Sequence, residues 1–242
     1  MSKIAIIIPC YNEGDRLSPG NFLNFIQTSP AADLIFVDDG STDNTQSILW
    51  DLSGNQKERL RLITLPENKG KANAVRAGMM AAYQDRNYSH IAYLDADLST
   101  PLEELLRLHQ HLEKTNADYI MGSRMKLLQN RIDRSWFRHL AGRVVATIID
   151  SKFRLGIYDT QCGAKCFKRS LIATITREPF ITRWLFDVEI LLRIRYHNPK
   201  AIGIEQPLKF WQNISGSKVN IGSLPLVIKE IYTLMKNYRR PR

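Results

Sequence analysis

Five short apolar runs alternate with helix-like segments through the first half of this chain, and that alternation narrows the possible folds most. The runs cover residues 4–8, 34–37, 60–64, 91–94 and 119–121, with helical patterns near 20–28, 43–53, 71–85 and 101–114 between them. Strands that are apolar on both sides belong to a sheet covered on both faces. Strand followed by helix, repeated, implies a mostly parallel α/β sheet. The helix after residue 100 carries a start signal: Thr100 as cap, Pro101 at the first position and Glu103 completing a capping box. The second half is less regular. A long helix is expected over 134–152, others near 183–196 and 223–237, and short strands near 164–167 and 202–210. No repeat, low-complexity stretch or Gly/Ser linker interrupts the 242 residues. One domain is expected, with residues 1–124 as one half and 125–242 as an elaborated second half.

Composition excludes several classes. Hydrophobic residues make up 44% and charged residues 24%, as in an ordinary globular chain. Three cysteines, Cys10, Cys162 and Cys166, are too few and scattered for a disulfide framework, and Cys162 and Cys166 have no second pair with which to hold zinc. No apolar run approaches the roughly 18 residues needed to span a bilayer. The run over residues 4–8 ends at Pro9, too early for a signal peptide, so a cytoplasmic location is expected. The net charge of +10 is regional: residues 124–154 and 207–242 carry the excess and the remainder is slightly acidic. Such a surface suits phosphate substrates or a membrane face. Nucleic acid is not expected as a partner.

Ligands of open α/β sheets bind at the carboxyl ends of the strands. The residues that follow each apolar run are Pro9-Cys10-Tyr11-Asn12-Glu13, Asp38-Asp39-Gly40-Ser41-Thr42-Asp43, Glu67-Asn68-Lys69-Gly70-Lys71, Asp95-Ala96-Asp97 and Gly122-Ser123-Arg124. Every set carries charge. Asp95 and Asp97 bring two hard oxygen ligands to one strand end, suited to Mg²⁺ or Mn²⁺ shared with substrate phosphates. Asp38 and Asp39 can accept hydrogen bonds from a nucleoside, and the loop ending at Lys71 opens a helix as a plausible anion site. No G-x-G-x-x-G follows any strand, which excludes a dinucleotide oxidoreductase.

These motifs together resemble family 2 glycosyltransferases of the GT-A fold. Gly122-Ser123-Arg124, Asp159-Thr160-Gln161-Cys162-Gly163-x-Lys165, Arg183-Trp184-x-Phe186-Asp187-x-Glu189 and Trp211…Gly216-Ser217-Lys218 resemble the dolichyl-phosphate β-glucosyltransferase branch, close to the dolichyl-phosphate mannose synthases. Ala164 stands where that branch usually has Phe. The resemblance implies that Pro9, Tyr11, Glu13 and Asp39 surround the nucleoside and that Asp95 and Asp97 lie at the ribose, metal and diphosphate. Asp38, Lys71 and Ala96 are expected to complete the nucleotide site, Asp95 and Asp97 to hold the metal, and Asp97, Arg124 and Asp187 to be the catalytic residues.

The expected reaction is inverting transfer of a hexose, glucose first and mannose second. The donor would be UDP-glucose or GDP-mannose, and the acceptor a polyprenyl phosphate at the cytoplasmic membrane face. A hydroxyl acceptor needs a general base, whereas a lipid phosphate is already an anion near neutrality. It needs cations instead: Arg124, Arg138 and Lys218, with Ser217 beside them. Asp187 and Glu189 are the candidate bases for a hydroxyl acceptor, though two residues apart on a helix they do not share a face. Asp187 is alternatively expected to order Arg183 or a neighbouring loop. Trp136, Phe137, Leu140, Ala141, Val144, Val145, Ile148 and Ile149 form a stripe at helical spacing. With arginines at its edge the stripe suits a membrane interface, aided by the basic tail 238–242.

Three alternatives accompany this expectation. One is a family 2 transferase acting on a sugar hydroxyl. Another is a haloacid-dehalogenase-like phosphatase with Asp95 as nucleophile. The last is a non-catalytic nucleotide-sugar sensor at the membrane.

Overall fold

The structure, a computed structural model, describes residues 2–54, 58–133, 136–214 and 224–238, and for residues 136–141 and 224 the backbone alone. β1 (Ile4–Cys10), β2 (Ala32–Asp38), β3 (Leu60–Thr64), β4 (His90–Leu94) and β5 (Tyr119–Ser123) alternate with α1 (Pro19–Thr28), α2 (Thr45–Gly54), α3 (Lys71–Gln84) and α4 (Leu102–Glu113). The second half adds β6 (Arg131–Asp133), α5 (Trp136–Phe153), β7 (Ala164–Lys168), α6 (Arg169–Thr176), α7 (Phe186–His197), β8 (Gly203–Pro207), β9 (Phe210–Gln212) and α8 (Leu224–Asn237). Seven strands form one sheet in the order β3-β2-β1-β4-β7-β5-β8. All its pairings are parallel except those of β7, which runs antiparallel to both β4 and β5. That reversal matters for the site. The chain enters β7 at the edge where the parallel strands end, so the loop leading into it joins their carboxyl ends.

Every residue of β1, β2 and β4 is buried. Alternate side chains serve two cores, as the period of a strand requires. Ile4, Ile6 and Ile8 pack with Phe22, Leu49 and Leu105 of α1, α2 and α4. Ala5 and Ile7 face Val75 of α3, Ile172 of α6 and Ile190 of α7. A third cluster joins α5, α7 and α8 through Ile149, Phe153, Val188, Leu192, Ile231 and Leu234.

Three expectations need correction. The segment 202–210 is not one strand: β8 extends the main sheet, while β9 pairs in parallel with β6 in a separate two-stranded ribbon. α6 and β6 are additional elements. The capping box at Thr100 does not form. Pro101 is the N-cap residue of α4, without a side-chain cap, and Thr100 is buried. Starting one residue later, the helix turns Glu104 rather than Glu103 to structural use. The Glu104 carboxylate accepts from Arg107 at 2.9 Å and from the Lys209 N–H at 2.8 Å, tying α4 to the turn between β8 and β9.

At the opposite edge of the sheet, His109 Nε2 lies 3.1 Å from His90 Nδ1, with Ser2 and Glu113 alongside. The position of these groups would admit a metal ion among the two imidazoles and Glu113. His109 Nδ1 is buried with no hydrogen-bond partner among the described residues, and at 3.1 Å one of the two imidazoles donates a ring N–H to the other.

Burial, with His90 nearby, lowers the His109 imidazole to about 4. The unfolded chain, with its histidine near 6.5, therefore binds the extra proton first as pH falls. Stability should be lost between about pH 6.5 and 4, by on the order of 3 kcal/mol from this group. Thermal unfolding across that range should fall more steeply for the native chain than for His109→Gln. Parallel curves would show that this histidine is not the source.

Candidate functional site

The loops after β1 and β2 are built as one surface. Asn12 takes a left-handed backbone (φ 49°), which asparagine tolerates better than most residues. Its N–H donates to Ser41 Oγ at 3.0 Å, and its Oδ1 accepts from the Thr42 N–H at 2.9 Å. Glu13 donates its N–H to Thr45 Oγ1 at 2.8 Å and pairs with Arg16. Asp38 Oδ1 accepts from the Ser41 N–H at 3.1 Å. Asp39 accepts from the N–H groups of Lys69 at 2.9 Å and Gly70 at 2.7 Å, joining the β2 loop to the start of α3. Burial pushes the Asp39 carboxyl above its usual range, against the pull of those two N–H groups and of Arg183. Gly40 (φ 67°) has no room for a side chain, since a Cβ would lie 2.6 Å from the Glu67 backbone. Arg183 covers Gly70, whose added Cβ would meet its Nε at 3.0 Å.

Lys71 and Asp95 form an ion pair across the centre of this edge. Burial opposes the lysine charge, but Asp95, Asp187 and Asp97 outweigh it and raise the Lys71 ammonium above its ordinary value. Asp97 Oδ1 accepts from the Ser99 N–H at 2.9 Å, which fixes the carboxylate at the strand end. Gly163 makes the arrangement possible: a Cβ there would lie 2.2 Å from Asp95 Oδ2. The loop before β7 therefore presses its backbone against the Asp95 carboxylate. The donor set suits a hard divalent cation, because it offers two carboxylates and Lys71 balances only one of them.

Arg124 and Asp159 form a second pair on the far side of that loop. Arg124 donates from Nε at 2.7 Å and from Nη2 at 2.8 Å, and its backbone N–H reaches the same carboxylate at 3.0 Å. Burial works against the guanidinium charge, and Asp159 more than offsets it, raising Arg124 above its usual value. The guanidinium lies 5.6 Å from the ring centre of Trp211. Beside Trp211 a cleft of about 440 Å³ is lined by the apolar Ile132 and Phe210 and by the polar Arg131, Asp133 and Gln212.

A third pair is wholly buried. Lys165 Nζ donates to Asp187 Oδ1 and, at 2.7 Å, to the Cys162 carbonyl. The Tyr93 hydroxyl donates to the same Asp187 oxygen. Burial, then Asp187, holds the Tyr93 phenol well above its usual range. Burial likewise drives the Cys162 thiol up to about 11, which keeps it protonated and unsuited to a metal. Glu189 accepts from the Thr182 N–H and hydroxyl, at 3.1 and 2.8 Å, and from Arg193 at 2.7 Å. Glu230 of α8 accepts the N–H groups of Arg183 at 2.8 Å, Trp184 at 3.0 Å and Leu185 at 2.9 Å.

The structure thus brings Pro9, Tyr11, Glu13, Asp38, Asp39, Lys71, Asp95, Ala96, Asp97 and Arg124 to one edge of the sheet. Asp187 lies buried, with Lys165 and Tyr93 as its hydrogen-bond partners among the described residues; through Lys165 it adjoins the loop at Cys162, and Glu230 rather than Asp187 accepts from the Arg183 N–H. The Arg138 side chain, Ser217, Lys218 and residues 239–242 lie outside the described residues, as do the side chains of Trp136, Phe137, Leu140 and Ala141. Lys165, Arg183 and Glu230 were given no role by the sequence analysis. A lysine inside an apolar run, at Lys165, was the available signal for the first.

Residues 5–176 match the family described as Glycosyl transferase family 2. The chain is 30% identical over 231 residues to a dolichyl-phosphate beta-glucosyltransferase of Dictyostelium discoideum, covering 90% of this chain and 68% of that protein. It is 32% identical over 232 residues to that of Drosophila melanogaster, covering 90% and 69%. Glucosyl-3-phosphoglycerate synthase from Mycobacterium tuberculosis, solved with Mn²⁺, UDP and glucosyl-3-phosphoglycerate, superposes with a TM-score of 0.69 at 15% identity. That likeness covers 100% of this chain and 81% of the other and concerns the fold. A transferase family leaves no place for the phosphatase alternative, and Asp95 is committed to Lys71 rather than poised as a nucleophile. The chain is a member of glycosyl transferase family 2, a glycosyltransferase with a GT-A-like fold.

Proposed function

We propose that this glycosyltransferase moves glucose from UDP-glucose to a polyprenyl phosphate, with inversion at the sugar and at a membrane face. GDP-mannose is the second donor to test. Residues 1–124 supply most of the donor side and residues 125–242 the acceptor side.

The state of the two candidate bases carries the choice of acceptor. Asp187 is engaged by Lys165 and Tyr93, and Glu189 by Thr182 and Arg193. Both carboxylates are buried and hydrogen-bonded, out of reach of a substrate hydroxyl, which disfavours a hydroxyl acceptor. A lipid phosphate arrives already ionised and needs no base. The relatives named dolichyl-phosphate beta-glucosyltransferase support the same acceptor class and the choice of glucose. Single displacement by a phosphate oxygen requires no enzyme nucleophile, which supports inversion.

On this reading Asp39, Gly70 and Arg183 wall the nucleoside side, and Lys71 faces the diphosphate. Asp95 and Asp97 would hold Mg²⁺ or Mn²⁺, which when bound neutralises charge on the diphosphate leaving group. Arg124, joined by Arg138 and Lys218, receives the acceptor phosphate, and the cleft beside Trp211 suits the start of an apolar chain. The membrane contact is the outer surface of α5 and α8. Val144 and Ile148 are exposed on α5, and Ile228 (59% exposed) and Tyr232 (68% exposed) on α8. Their neighbours Ile149, Ile231 and Leu234 fill the core between the helices. No helix among the described residues is long and apolar enough to cross a membrane.

The deciding experiment offers UDP-glucose and GDP-mannose, with Mg²⁺ or Mn²⁺, to a short polyprenyl phosphate and to soluble sugars. Glucosyl-phosphoryl lipid is the expected product. Transfer to a sugar hydroxyl alone would overturn the proposal, and binding without turnover would favour the sensor. In the same assay Asp97→Ala should lose at least a hundredfold in kcat/KM while retaining its circular dichroism and melting temperature. Full activity in that variant would remove the metal assignment.

Replacing both Trp136 and Phe137 with Ser should weaken sedimentation with anionic vesicles and leave thermal stability unchanged. If those rings were core instead, the change would cost roughly 3–5 kcal/mol per residue. A large drop in melting temperature with unchanged sedimentation would then be the result.

A further inference from the structure

We infer that His90, His109 and Glu113 form a binding site for a zinc ion, separate from the donor site and on the opposite edge of the sheet. His90 opens β4, and His109 and Glu113 lie one turn apart at the end of α4. His90 Nδ1, His109 Nε2 and a Glu113 carboxylate oxygen all lie within 4.8 Å of one another. Both imidazoles are buried.

The dimensions of the cluster fit four-coordinate zinc. With ligands at about 2.0–2.2 Å, a tetrahedral zinc ion holds its ligand atoms roughly 3.3–3.6 Å apart. Here the two ring nitrogens are 3.1 Å apart, and His109 Nε2 is 3.9 Å from Glu113 Oε1. An oxygen already stands at the fourth corner. Ser2 Oγ lies 3.0 Å from His90 Nδ1 and 3.5 Å from His109 Nε2, and it donates to Glu113 Oε1. The Ser2 N–H donates to the same carboxylate oxygen at 2.7 Å, which holds that corner in place. Four donor atoms from three separate segments thus surround one point at the span of a zinc coordination shell.

The donor types select the metal. Two imidazoles and a carboxylate are a protein ligand set of zinc, whereas all-oxygen sets such as Asp95 with Asp97 suit Mg²⁺ or Mn²⁺. Burial favours the neutral imidazole at both positions, and that is the form that coordinates. His109 Nδ1 is unpartnered among the described residues. It stays so in either neutral tautomer, with or without an ion at Nε2, so it does not weigh against coordination. Glu113 is exposed and gives an ion its way in. His90 and Asp95 are five residues apart along an extended strand, roughly 16 Å. An ion at the histidines therefore cannot touch the reacting groups. Its effect is structural: it ties the segment before β1 to β4 and to the end of α4.

The test titrates the untagged, chelator-stripped chain with ZnCl₂ in a calorimeter. Nucleotide is absent and Mg²⁺ is in excess, so that the all-oxygen site does not compete. One zinc ion per chain and a raised melting temperature are expected. Loss of a direct ligand should weaken binding at least as much as loss of an outer-shell partner does, roughly ten- to hundredfold. Glu113→Gln keeps a hydrogen-bond acceptor for Ser2 at an exposed position. It should therefore melt like the native chain without zinc and show that weakening; His109→Gln should show it too. Asp97→Ala should bind zinc as the native chain does. Absence of stoichiometric zinc binding by the native chain overturns the site, as does native affinity in Glu113→Gln, whether or not His109→Gln folds. Zinc binding that is lost in Asp97→Ala overturns it as well, by moving the ion to the strand ends.

Discussion

Burying both faces of β1, β2 and β4 leaves those strands no outlet for polar chemistry except at their ends. Seven consecutive residues of β1 and seven of β2 are inaccessible to solvent. Any charge within them would need a buried partner, at a desolvation cost that ion pairing seldom recovers in full. Polar side chains therefore collect where the backbone leaves the sheet, and parallel pairing brings those exits together on one edge. The reversed β7 adds its entry loop to the same edge, which is how residues from the second half of the chain reach a site laid out by the first.

That edge gathers charge and also balances it. Lys71, Arg124 and Lys165 are each matched to a carboxylate, and each pair fixes a different segment: the start of α3, the end of β5 and the loop entering β7. Only the Lys165 pair is fully buried, where breaking one partner would strand the other charge. Asp97 adds a carboxylate beyond this balance.

The strand ends were legible in the sequence because apolar runs and the charged residues after them are local signals. The antiparallel sense of β7 was not, since nothing within residues 164–168 encodes direction. The ribbon of β6 and β9 was equally hidden: three residues on each side pair across nearly eighty positions, and neither strand has a periodicity to read. The Thr100 start signal misled because the adjoining Asp97 takes the Ser99 N–H, while Thr100 itself is drawn into the interior. Lys165 read as one cation in a motif; its meaning depends on Asp187, twenty-two residues away, and on the phenol of Tyr93.

The Glu230 carboxylate bears on how the two halves cooperate. Three backbone N–H groups, those of Arg183, Trp184 and Leu185, converge on it at the start of α7. Hydrogen bonds to an ionised acceptor are stronger than those between neutral groups, and a carboxylate at a helix N-terminus gains further from the helix dipole. Glu230 belongs to α8, which exposes Ile228 and Tyr232 on its outer side, while Arg183 lies against Gly70 on the donor side. The helix with the apolar outer face and the arginine over Gly70 are thus connected through three hydrogen bonds to the start of α7. α8 cannot shift relative to the sheet without carrying the Arg183 segment along or breaking those bonds.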